Sequence, residues 1–130
     1  AIFLAFSTGS SWGTFAILIP IVTAIFSGGG NMEMMVISIS AVLAGAVCGD
    51  HVSPISDTTI MSSAGAQCHH IDHVSTQMQY AIVVAVVCVF GYLIAGFVQV
   101  WWIVLLISVA VLLTTLTIMR KYVNKKHLKK

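Results

Sequence analysis

Hydrophobic and polar positions fall in long blocks along this chain. Residues 79–98 and 101–119 are two nearly unbroken apolar runs, each close to the ~20 residues a helix needs to cross a ~30 Å hydrocarbon core. They predict two membrane-spanning helices joined by a tight turn at Gln99, with Trp101 and Trp102 at the interface, where amphipathic rings settle. Upstream the pattern is interrupted. Residues 1–6 are apolar, Ser7-Thr8-Gly9-Ser10-Ser11-Trp12-Gly13-Thr14 breaks the run, and residues 15–26 are apolar again. Ser27-Gly28-Gly29-Gly30-Asn31 reads as an exposed turn. Residues 34–48 are apolar, residues 49–59 are polar and contain Pro54, and residues 60–68 form a short segment of mostly small side chains.

Glycine weakens a helix through backbone entropy, and an interior proline costs roughly 3 kcal/mol or more through its missing N–H and its ring clash. Twice, then, an unwound patch is expected inside a hydrophobic element. Bare backbone survives at membrane depth only when buried in protein or lining a polar cavity, and paired interruptions point to a transporter's midplane site. Residues 34–68 are predicted as one broken helix. Residues 7–14 are read as the tip of a re-entrant hairpin whose first arm precedes residue 1, with a second broken helix as the alternative.

Composition agrees with this picture. Of the 130 residues, 58% are hydrophobic and 8% are charged, against about 25% charged in an ordinary soluble domain; the mean hydropathy is +1.01. A soluble enzyme, a nucleic-acid binder and a disordered linker are excluded, and an all-α polytopic membrane protein is expected. The net charge of +2 hides a segregation: all the basic residues lie at 120–130, and the acids are Glu33, Asp50, Asp57 and Asp72. The basic end predicts a cytoplasmic carboxy terminus in a cell membrane, which puts the Trp pair outside and residues 69–77 inside. Residues 1–119 are therefore read as a transporter core and 120–130 as a basic cytoplasmic tail. With no initiator Met and no signal-peptide pattern, the chain is expected to be the carboxy-terminal part of a larger protein, whose other half is its first partner. Cys48, Cys68 and Cys88 read as free thiols.

The densest chemistry is Gly49-Asp50-His51-Val52-Ser53-Pro54-Ile55-Ser56-Asp57-Thr58-Thr59. An Asp at bilayer depth costs roughly 2.5–3.5 kcal/mol, a penalty seldom tolerated for packing alone. Hard oxygen ligands suit an alkali or alkaline-earth cation. Desolvation disfavours the charged form of any carboxylate, so one side chain can hold either a proton or Na+, but not both. Asp50 and Asp57 are the expected carriers, with Na+ bound between them. Ser53, Ser56, Thr58 and Thr59 would complete the shell, and His51 would either tune Asp50 or donate a hydrogen bond. The bland alternative is an interfacial loop with Asp57 capping the helix that follows. Ser7, Thr8, Ser10, Ser11 and Thr14 are supporting candidates in the first interruption, set against simple helix packing by small residues.

Cys68-His69-His70-Ile71-Asp72-His73 has the composition of a zinc cluster, but it falls at the expected membrane boundary, where polar residues cost little. His70, Asp72 and His73 are candidates for a pH-responsive interfacial loop; ordinary solvated or capping residues are the alternative. Glu33 is read as a solvated residue opening the next helix. No motif calls for a cofactor.

The run from Gly49 to Ile60, followed by Ser62-Ser63-Ala64-Gly65-Ala66, by His70-Ile71-Asp72-His73-Val74 with Thr76-Gln77, and preceded by residues 7–14, closely resembles the NhaC-type Na+/H+ antiporters. The resemblance covers most of residues 3–81. It implies a transporter, since the family includes Na+/H+ antiporters and exchangers that couple Na+ and protons to organic acids such as malate and lactate. It also implies a fold of two inverted repeats, each with a re-entrant hairpin and a broken helix, of which this chain would be most of the second. Val52 and His69 depart from the family pattern; neither is a carboxylate.

Secondary Na+/H+ antiport is thus the leading expectation, with coupled organic-acid exchange as the alternative. No Arg lies in residues 1–119 to clamp an anion, which favours a cation. A remoter alternative is an intramembrane aspartyl protease, whose Gly-x-Gly-Asp signature fails here because Val47 holds the first Gly position. A homo-oligomer is compatible with every reading.

Overall fold

The computed structural model describes residues 1–29, 31–98 and 100–127, with the side chains of 122–127 outside the description. The described residues form six helices: α1 (Ile2–Thr8), α2 (Ser11–Phe26), α3 (Met32–Val52), α4 (Asp57–Gly65), α5 (His70–Val98) and α6 (Trp101–His127). The turn expected at Gln99, part of the one at Gly30, and the last tail residues 128–130 lie outside the described residues.

Each boundary has a local cause. Gly9 ends α1 in the left-handed region at φ 64°, a conformation that favours glycine. A Cβ there would lie 2.9 Å from the Ile55 side chain, so the first break rests directly against the second. Ser10 caps α2, its hydroxyl accepting from the Gly13 amide at 3.2 Å. Asn31 caps α3 through Glu33 N–H at 2.9 Å, with the Glu33 carboxylate in the first turn, where the helix dipole favours negative charge. Ser53 is extended, at φ −71° and ψ 129°, as the residue before a proline must be. The broken helix therefore exists as predicted, but its break is shorter than the polar stretch: only residues 53–56 are unwound, and Gly49 to Val52 stay helical.

The interfacial loop expected around His70, Asp72 and His73 is corrected to helix. His73 N–H donates to the His69 carbonyl at 3.0 Å, and α5 is helical from His70 onward. Its 29 residues span about 44 Å at 1.5 Å each, more than a bilayer core, so the polar first turns can be helical without lying in lipid.

Two compact units make up the chain, residues 1–85 and 86–130. In the first, α1 packs on the end of α3 through small residues. A Cβ on Gly45 would stand 2.9 Å from that of Ala1, and one on Gly49 would collide with the Ile2 carbonyl. Further along, Ser53 Oγ donates to the Phe6 carbonyl at 2.7 Å. Ala1, Ile2 and Phe6 thus pass Gly45, Gly49 and Ser53 in order, and α1 runs parallel to α3. α2 packs on α3 as well; it starts beside Asp50 and its end connects to the start of α3, so it runs the opposite way. The chain therefore reverses at Gly9-Ser10, a helical hairpin laid on α3. In the second unit the end of α5 meets α6 where Gly91 approaches Ser108, and Trp101 stacks on Trp102 with centroids 3.6 Å apart.

The interior inverts the usual pattern. Apart from Val52, Val74 and Val87 its buried residues are small or polar, among them Ala5, Ala46, Thr14, Ser53, Ser56, Thr59 and Ser63, while Phe3, Trp12, Met61 and Phe97 face outward. Lipid removes the penalty for exposed apolar side chains and leaves small residues to pack the helices. α3, α5 and residues 101–121 are each long and apolar enough to cross a membrane.

Candidate functional site

The two breaks meet at Asp50. This residue occupies the last turn of α3, 9% exposed, and its carboxylate accepts two hydroxyls from different elements. Ser56 Oγ, in the break, donates to Oδ1 at 2.7 Å. Ser11 Oγ, at the start of α2, donates to Oδ2 at 3.1 Å. Thr58 Oγ1 lies 2.7 Å from Ser56 Oγ; since the Ser56 hydrogen points at Asp50, Thr58 donates to Ser56, and the three groups form a relay. Within residues 1–119 there is no Lys or Arg, so that stretch supplies no Lys or Arg to balance the Asp50 charge.

An ionised carboxylate offers about four lone-pair directions, of which the two hydroxyls use two. Ser11 and Ser56 keep oxygen lone pairs after donating their hydrogens. Asp50 and these hydroxyls therefore make a small hard-oxygen set able to take either a proton on the carboxylate or an alkali cation among the oxygens.

The other candidates are distributed differently. Asp57 is exposed and opens α4, its Oδ1 accepting the Thr58 amide at 2.8 Å; it does not join Asp50 in any hydrogen bond. Ser53 and Thr59 are buried but face backbone, Ser53 the Phe6 carbonyl and Thr59 the His51 carbonyl at 3.1 Å. They brace the break. The His51 side chain is exposed and makes no hydrogen bond among the described residues. Ser7 and Thr8 bond back to Phe3 and Leu4 carbonyls within α1. Ser10 serves as a cap, and the fully buried Thr14 donates to the Ser10 carbonyl at 3.0 Å.

Asp72 and His73 lie in the first turn of α5, with the Asp72 side chain exposed. His70 is placed otherwise, its ring reaching Pro54 and Ser63. Among the described residues, no three His, Cys, Asp or Glu side chains gather as a metal site. Ser63 was not a predicted site residue. Its signal is periodic: Ser56, Thr59 and Ser63 are the buried positions of this short segment, one polar stripe at helical spacing.

The sequence model of the Na+/H+ antiporter family matches residues 1–97, which includes both breaks and the whole Asp50 cluster. The chain belongs to the Na+/H+ antiporter family. That membership makes it a transporter segment and not an enzyme, which sets the protease alternative aside, and with three span-length helices it is a multi-pass membrane protein. An uncharacterized protein of Haemophilus influenzae (strain Rd) is 56% identical over 94 residues, covering 72% of this chain and 18% of that protein. The "Malate-2H(+)/Na(+)-lactate antiporter" of Bacillus subtilis (strain 168) is 31% identical over 94 residues, 72% of this chain and 20% of the relative. The chain thus spans about a fifth of the length of these curated relatives. No solved structure matches it.

Proposed function

We propose that the full-length parent is a secondary active antiporter exchanging Na+ for protons, with Asp50 as the group for which they compete. The observation carrying this reading is a buried carboxylate that takes hydroxyls from two chain breaks and has no Lys or Arg partner within residues 1–119. A carboxylate removed from water must be neutralised or paired. A proton neutralises it; Na+ pairs with it and uses the hydroxyl oxygens as further ligands. Occupancy by one excludes the other, which is the minimum an antiporter requires. Ser11, Ser56 and Thr58 are the hydroxyl partners, and Asp57, one residue beyond Ser56, opens α4. The basic residues from Arg120 onward support a cell-membrane protein with a cytoplasmic carboxy terminus, and the remaining part of the parent is a partner in any complete pathway.

A second reading is Na+- and proton-coupled organic-acid exchange, favoured by the printed function of the B. subtilis relative. The two are separated in everted vesicles or proteoliposomes of the parent with an acid interior and a pH dye. Proton efflux on adding Na+ alone, absent in Asp50→Asn, is the expected result. Silence with Na+ and a response to malate with lactate would select the organic-acid exchanger.

A further inference from the structure

His70 opens α5 and stands between two other segments. Its Nε2 lies 2.7 Å from the Pro54 carbonyl, in the break, and its Nδ1 lies 3.0 Å from Ser63 Oγ, on α4. Hydrogen accounting sets out two arrangements. A carbonyl only accepts, so Nε2 carries a hydrogen. Ser63 has one hydroxyl hydrogen, and its Oγ is 2.9 Å from the Ile60 carbonyl, which also only accepts. With that hydrogen on Ile60, Ser63 accepts from an Nδ1 hydrogen; with it turned to Nδ1, the contact to Ile60 is given up. The three contacts are made together by the imidazolium. In the neutral ring, Ser63 must turn its hydrogen to Nδ1 and leave Ile60, and the bond to Pro54 loses its charge assistance.

We propose that His70 is a positioning residue for the exchange site, holding the break through the Pro54 carbonyl, and that it holds more firmly when protonated. The proposal rests on Asp50 being that site. Pro54 lies two residues before Ser56, whose hydroxyl sits on Asp50, so the bond to its carbonyl fixes the segment that presents Ser56. The ionisable groups at the near ends of the neighbouring elements include Asp50 and His51 on α3, Asp57 on α4, Cys68 and His69 in the connection, and Asp72 and His73 in α5. None of them bonds to the ring among the described residues, so Pro54 and Ser63 are what its proton acts on.

The test follows amide hydrogen exchange at residues 55–58 in the full-length parent, corrected for intrinsic rates, at about pH 5.5 and about pH 8.5, the range over which histidine side chains in general change charge. Wild type is expected to show about tenfold greater protection on the acid side, the scale of one hydrogen bond to a charged group. His70→Ala loses that protection and its pH dependence. His70→Gln, whose amide still donates but does not titrate, keeps one level of protection at both pH values. Equal protection in wild type and His70→Ala, or a pH dependence that persists in His70→Gln, overturns the proposal.

In vesicles, His70→Ala raises the Na+ concentration for half-maximal flux about tenfold. His70→Gln restores it and flattens the pH profile of exchange across the imidazole range. A parent silent to Na+ that still shows the His70-dependent protection overturns the antiport reading while supporting the hold on the break.

Discussion

Asp50 and Asp57 are the same side chain in opposite surroundings. One is buried under two hydroxyls, and the other is exposed at a helix start. Asp50→Asn is therefore expected to abolish Na+-driven proton efflux, while Asp57→Asn leaves it within about threefold; hydrogen bonds to an ionised group are worth roughly 1.5–3 kcal/mol, and Asp57 receives only an amide. Equal loss in the two variants, read by the same pH dye, would restore the paired-carboxylate site. Ser56→Ala removes the hydroxyl that donates to Asp50 Oδ1. Half-saturating Na+ should rise about tenfold. An unchanged Na+ dependence would remove Ser56 from the site.

At the scale of elements, the site depends on close approach. Gly49 lets the Ile2 carbonyl sit where a Cβ would be, whereas a Cβ on Gly65 meets nothing within 4 Å. Forcing extra atoms into such a contact costs typically 1–3 kcal/mol. Gly49→Ala should lower the melting temperature of the detergent-solubilised parent by several degrees and weaken Na+ dependence with it, because α1 would be pushed off α3 one residue from Asp50. Gly65→Ala should leave both unchanged. A thermal shift assay on the two variants decides it, and equal melting temperatures would contradict the packing described here. α4 and its N-cap show the same logic in their faces: Ser56, Thr59 and Ser63 are buried while Ile60 and Met61 are exposed, the arrangement lipid favours.

For the whole molecule, residues 1–130 expressed alone should insert into membranes and fail to exchange Na+ for protons, since the inverted-repeat fold that the family resemblance implies needs both repeats for alternating access. Na+-driven proton flux from the isolated segment, in the same vesicles, would overturn that. The sequence by itself determined the solvent, the broken helix and the chemical inventory. Lipid reads composition over stretches of about 20 residues, and proline and glycine act on their own backbone, so these properties are local. It left open whether residues 7–14 form a hairpin or a second broken helix. The reversal at Gly9-Ser10 depends on Ala1, Ile2 and Phe6 meeting α3. Nor did it separate Asp50 from Asp57, find Ser63, or show that the polar start of α5 is helical. Those outcomes hang on Ser11 reaching Asp50 across 39 positions, Ser53 reaching Phe6 across 47 and His70 reaching Pro54 across 16. Only the tertiary structure decided them, because a buried hydrogen bond forms where distant segments are brought within about 3 Å, and no local pattern encodes which segments those are.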